Sequence, residues 1–235
     1  MPPAPLTEQT GGRALKYDLA VAKKPQVPIE DRLDQPLREY FIARASSHFE
    51  DSYMGVPMAK FPEDLRIYEH LLWESRANVV IEVGAWQGGS ALWFRDRLLA
   101  LNRYRQGSPI RVVSIDIETT TAEANLSKVD PNFADTITLL RAGVADPGLV
   151  DEVHRHLPPG ARCLVSEDSA HIYETTQSAL VNFAPFVPVG RFFVVGGRLC
   201  GHRGDALRGG LAARGLAGCA RLARQRPGFS VRRTP

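Results

Sequence analysis

The sequence predicts an α/β fold, a doubly wound and mostly parallel sheet behind an N-terminal helical arm, and three observations carry that expectation. Five short apolar segments recur along the middle of the chain: Val79–Val83, Arg111–Asp116, Ile137–Arg141, Arg162–Ser166 and Arg191–Val195. Stretches with helical spacing separate them, as strands that pair in parallel through crossover helices require. Such sheets bind ligands at the carboxyl ends of their strands, so functional residues are expected just after Val83, Ile115, Arg141 and Ser166.

Taken in order, residues 1–36 mix Pro, Gly, Lys and Gln without an apolar period and read as a loosely packed arm. Leu37, Tyr40, Phe41, Ala43 and Ala45 suit a short amphipathic helix over Leu37–Phe49, which Tyr53-Met54-Gly55-Val56-Pro57 breaks. Pro62-Glu63-Asp64 is a proline-led acidic first turn, and Leu65, Tyr68, Leu71 and Leu72 give that helix its buried face. Helices are then expected over Ser90–Leu101, Thr121–Lys128, Gly148–Leu157 and Tyr173–Phe186, between the strands already named. The expected organisation is a covering segment over 1–60, a core over 61–195 and an atypical segment over 196–235.

Composition narrows the class. At 235 residues and 44% hydrophobic, the chain can bury one good core. No run of about 18 apolar residues is present, and the N-terminus has no apolar signal region, so a cytoplasmic protein without a membrane span is expected. Cys163, Cys200 and Cys219 are irregularly spaced and suggest neither a disulfide framework nor a zinc cluster. The net charge of +3 hides an uneven distribution: Gly196 to Arg226 holds seven Arg and one Asp, leaving the rest at −3. Nucleic acid is therefore not the expected partner.

Val80-Ile81-Glu82-Val83-Gly84-Ala85-Trp86-Gln87-Gly88-Gly89-Ser90 is a strand entering a glycine-rich turn and then a helix. Glycine lets the backbone approach a ligand, and a helix N-terminus favours its negative group. The next strand ends at Asp116, where a carboxylate can accept both hydroxyls of a ribose. A nicotinamide enzyme would share that carboxylate, but the turn does not follow G-x-G-x-x-G. Glu82-x-Gly84 instead resembles the first motif of Rossmann-like class I methyltransferases. That resemblance implies S-adenosylmethionine as cofactor, held by Glu82, Gly84, Gly88, Ser90 and Asp116, with Gly143 and Val144 flanking the adenine.

More specifically, Ser52 to Asp64, Ile81-Glu82-Val83-Gly84, Gly88-Gly89-Ser90-Ala91, Ser114-Ile115-Asp116-Ile117, Asp168-Ser169-Ala170-His171 and Gly190-x-Phe192-Phe193-Val194-Val195 together resemble the rhamnosyl O-methyltransferase and cephalosporin-hydroxylase-like family. The resemblance spans about Tyr53 to Val195. It implies O-methylation of a deoxysugar or related natural-product intermediate, as in antibiotic biosynthesis, with Mg²⁺ used by many members and a homo-oligomer expected. The alternative is a non-catalytic paralogue that keeps the fold and the cofactor.

O-methylation needs an oriented hydroxyl and a base or metal to take its proton. His171 is the expected base, since an unperturbed imidazole titrates near neutral pH. Asp168, counted with the catalytic and cofactor residues, is either an Mg²⁺ ligand or a helix cap. Tyr53 and Lys60 either close over substrate or lie on an ordinary surface. In the resembled family a carboxylate after Asp-Ser and a Glu-Asp pair after the fifth strand complete the metal site; this chain has Ala170 and Gly196-Gly197 there. From Gly196 to Arg226, 26 of 31 residues are Gly, Arg, Ala or Leu, a composition that GC-rich DNA gives when read out of frame. A frame displaced by one base can restore Glu-Asp at that point, an expectation that resequencing the source DNA tests.

Overall fold

The structure is a computed structural model that describes residues 39, 44, 47–105, 107–189 and 191–196. Most of the expected arm and of the helix over Leu37–Phe49, and everything expected after Gly196, lie outside the described residues. The described residues from Arg44 onward fall in one compact unit.

A single 3-10 turn, His48–Glu50, leads into β1 (Ser52–Tyr53) and β2 (Val56–Pro57), which pair antiparallel with Ser52 opposite Pro57. The segment expected only to break a helix is thus a hairpin. Its two loop residues, Met54 and Gly55, both have positive φ (52° and 82°), the geometry that matches the twist of a two-residue hairpin.

Next come α1 (Pro62–Ser75), β3 (Val79–Val83), α2 (Gly89–Asn102), β4 (Arg111–Asp116), α3 (Thr120–Val129), β5 (Ile137–Arg141), α4 (Leu149–His156), β6 (Cys163–Glu167), α5 (Tyr173–Phe183) and β7 (Phe193–Val195). Five strands form one parallel sheet in the order β5-β4-β3-β6-β7. The expected doubly wound α/β fold is the observed one. The expected strand over Arg162–Ser166 is shifted by one residue, and the last strand starts two residues later than Arg191. The latter has a direct cause: the Arg191 side chain donates to the Ser75 carbonyl at the end of α1, while Arg191 N–H bonds to Pro188 O in a turn.

Val79–Val83 is buried at every position because helices cover both faces of the sheet. On one face Val80, Val112 and Leu164 meet Leu72 of α1, Leu92, Phe94 and Leu98 of α2 and Leu126 of α3. On the other, Val79, Ile81, Val83, Val113, Ile115 and Val165 meet Leu149 and Val153 of α4 and Ala179 and Phe183 of α5. The two-residue alternation of each strand sorts its side chains between these cores. Among the described residues no helix is long and apolar enough to cross a membrane.

Candidate active site

The chain runs from β3 outward to β4 and β5, then returns to β6 on the other side of β3. The order therefore reverses beside β3, and the carboxyl ends of β3 and its neighbours are where a sheet of this kind places its ligand-binding crevice. Gly84 follows β3 there with φ +104°. An added Cβ would stand 2.4 Å from the carbonyl oxygen of Asp168, so the loops after β3 and β6 touch through a position only glycine fits. Gly84→Ala is expected to cost about 1–3 kcal/mol, through overpacking in a left-handed conformation, and urea unfolding measures it.

Gly88 begins α2 with φ +92°, and an added Cβ would press on Ala122 and Leu126 of α3. Gly89 lies against the Pro57 carbonyl, 2.3 Å from where its Cβ would be. The glycine turn is thus shaped by neighbouring protein on one side while its backbone faces the crevice.

Asp116, at the carboxyl end of β4, is half-buried and held from two sides. Trp86 N–H donates to its Oδ2 at 2.9 Å and Glu118 N–H to its Oδ1 at 3.2 Å. A carboxylate has roughly four acceptor sites, so lone pairs remain for further donors. Ile117 beside it is 74% exposed, an apolar surface at the rim that sequence inspection passed over although an apolar residue directly after an acidic strand end was a visible signal. Trp86, 41% exposed with φ +44°, was also missed; its ring meets that of Phe49 edge-on at 6.0 Å.

Gly143 and Val144 follow β5, next to Asp116, whose carbonyl accepts Ala142 N–H. Their loop is closed locally: Gly143 N–H donates to Asp146 Oδ2 at 2.7 Å, and Val144 O accepts Asn182 Nδ2 at 2.8 Å.

Glu82 is fully buried in the centre of the sheet. Ser114 Oγ donates to its Oε2 at 2.5 Å, and its Oε1 has no hydrogen-bond partner among the described residues. Burial pushes its pKa up, opposed by Lys60, Ser114 and Ser90.

Lys60 is not an ordinary surface residue. Its side chain is 6% exposed, and Nζ lies 2.5 Å from Asp168 Oδ2 and 5.5 Å from the Tyr68 ring centre. Burial would lower its pKa, but Tyr68, Asp168 and Glu82 surround the ammonium and hold it above its usual value. The Tyr53 hydroxyl is likewise committed to protein, donating to Asp96 Oδ2 of α2 at 2.9 Å.

Asp168 does not cap α5: the residue before that helix is Ile172, with no side-chain cap bond. It faces Lys60 through Oδ2 and His171 through Oδ1, the latter 3.7 Å from Nε2. His171 has φ +57°, a conformation that costs a non-glycine residue free energy and that clusters at functional sites. Its ring is about one-third exposed. As an Mg²⁺ ligand Asp168 fits poorly, since an ammonium already occupies its inner oxygen. Among the described residues no three His, Cys, Asp or Glu side chains form a metal-binding group. Gly196, where a carboxylate would be wanted, packs so closely on Asp168 that an added Cβ would be 2.4 Å from Oδ1.

A parallel doubly wound sheet with a glycine turn after one strand, an acidic end on the next and an Asp-His loop across the crevice defines the Rossmann-like class I methyltransferase architecture. Solved structures share the fold: a putative caffeoyl-CoA O-methyltransferase from Staphylococcus aureus aligns with TM-score 0.55 and 14% identity, over 82% of this chain and 91% of its own. The Mg and SAM structure of CmcI aligns with TM-score 0.50 and 22% identity, over 73% and 67%. The profile of the rhamnosyl O-methyltransferase/CmcI family matches residues 46–205, and the chain belongs to that family. Rhamnosyl O-methyltransferase of Mycobacterium leprae is 25% identical over 146 residues, 61% of this chain and 58% of that protein. The chain thus spans under two thirds of the length of this curated relative.

Proposed function

We propose that the protein transfers the methyl group of S-adenosylmethionine to a hydroxyl of a deoxysugar or related natural-product intermediate. The observation that carries this reading is the crevice where the order of strands reverses, with Asp116 on one side of the Gly84 turn and the Asp168–His171 loop on the other. The residues present fit the cofactor. Asp116 keeps acceptor capacity for ribose hydroxyls, and the orphaned Glu82 Oε1 beneath the turn is an acceptor for an ammonium group. Exposed Ile117 offers apolar surface beside Asp116, and Gly143 and Val144 follow the neighbouring strand end, tied to Asp116 through Ala142 N–H.

When bound, the cofactor supplies an electrophilic methyl group on a sulfonium. His171 takes the proton of the acceptor hydroxyl, and Lys60 holds Asp168 in place beside it. The oxygen–methyl bond forms as the sulfur–methyl bond breaks, giving a methyl ether and the demethylated cofactor. The described residues do not fit a metal, so no step passes through one.

Asp116→Ala is expected to weaken S-adenosylhomocysteine binding by about 1.5–3 kcal/mol, the range for a hydrogen bond to a charged group. Calorimetry on the full chain measures it, and unchanged affinity overturns the ribose assignment. Turnover with glycosylated acceptors, followed by mass gain of one methyl group, tests the reaction. Binding without turnover would support a paralogue that keeps the cofactor and has lost catalysis.

A further inference from the structure

A second concave site lies at the opposite edge of the sheet. Because the five strands are parallel, their amino ends share one edge, remote from Gly84, Asp116 and Asp168. There Arg76 precedes β3, Arg105 precedes β4, Arg162 precedes β6 and Arg191 precedes β7. These four arginines line a cavity of about 710 Å³ with Trp73 and a single acid, Glu74. The volume is in the range of small-molecule sites.

Three of the arginines are fixed by the carboxyl end of α1 and the residues just after it. Arg105 donates to the carbonyls of Leu72, Trp73 and Ala77, Arg162 Nε to that of Arg76 at 2.7 Å, and Arg191 to that of Ser75. Part of the cluster is therefore explained as capping. The charge is not: the end of a helix carries only about half a negative elementary charge, whereas four arginines against one glutamate leave three positive charges. The crowding is felt at Arg105, whose pKa is lowered by burial and then by Arg162, Arg76 and Arg191. The Arg76 guanidinium and the terminal nitrogens of Arg162 have no hydrogen-bond partner among the described residues, so their donors face the cavity's solvent. Arg162, fixed through Nε, keeps its terminal nitrogens free, and the Arg76 guanidinium beside it adds further donors of the kind that phosphate oxygens match.

We propose that this cavity binds a diphosphate group, free or carried by a nucleotide. The site is independent of the methyl-transfer reading, since none of its residues reaches the crevice at the carboxyl edge.

Arg76→Gly is the cleanest variant. Arg76 has φ +49° at the end of α1, where glycine is the residue of choice, so the variant should fold at least as well as the parent. Calorimetry at low salt, using the full chain with inorganic pyrophosphate and separately with a nucleoside diphosphate, should show saturable binding. Affinity should drop at least about tenfold in Arg76→Gly and fall with added salt. Tighter binding of the nucleotide assigns the diphosphate to a nucleotide carrier; equal or tighter binding of pyrophosphate assigns it to the free anion. No saturable binding of either probe at millimolar concentration overturns the proposal. So does full affinity in Arg76→Gly, which would assign the anion to another basic part of the chain.

Discussion

The proposed methyl transfer is expected to slow by about 10²–10⁴ in His171→Ala, the usual cost of removing a positioned general base. The imidazole follows a central strand at the crevice, with Nε2 at 3.7 Å from Asp168 Oδ1. That separation is too long for a hydrogen bond, so the ring is left free to meet an acceptor hydroxyl. Its backbone makes a sharper test possible. At φ +57° glycine is more comfortable than histidine, so His171→Gly should keep or raise the unfolding midpoint while losing the same turnover. Loss of activity without loss of stability separates a chemical role from a structural one. If both variants retain full turnover while His70→Ala on the exposed face of α1 abolishes it, the base has been assigned to the wrong residue.

Stability should respond most to Lys60. Lys60→Met removes a buried ammonium from between Asp168, Tyr68 and Glu82 and leaves Asp168 unpaired at the crevice. Breaking a buried ion pair from one side costs about 3–5 kcal/mol. Since the Asp168 side chain is 22% exposed and water can recover part of the loss, the expected value is near ~3 kcal/mol. Urea unfolding measures it, and a loss below about 1 kcal/mol would place the pair among weak surface contacts. The pH dependence has a definite sign. The Lys60 pKa is raised in the folded protein, so the stabilisation is complete below the unfolded value near ~10.5 and is lost as pH rises through the higher folded value. Lys60→Met should lack that alkaline loss. Adding Asp168→Asn to Lys60→Met should recover part of the deficit, because no unpaired charge then remains.

Much of this geometry was legible beforehand. Val79–Val83 could be read as a strand buried on both faces because it contains no alternation, and Asp116 could be placed at a strand end because the apolar run stops there. The hairpin over Ser52–Pro57 escaped notice because its strands are two residues long, too short for any period, and its turn is signalled only by Met54-Gly55. Trp86 and Phe49 escaped for another reason: they are 37 positions apart and meet only once the turn after β3 is folded.

Periodicity and strand endings were enough to establish the parallel α/β sheet, the glycine turn after β3 and the acidic end of β4, because those features follow from local pattern and from the rule that parallel strands cross over through helices. Folding in three dimensions settled what spacing along the chain cannot express. Lys60 and Asp168, 108 positions apart, became a partly buried ion pair because the segment before α1 packs against the end of β6, a contact that neither residue's place in the chain announces. The four arginines, scattered from 76 to 191, became one positive cavity because parallel strands gather all their amino ends at one edge. Charge neutralisation and charge accumulation are both sums over neighbours in space, and the register of the sheet decides who those neighbours are.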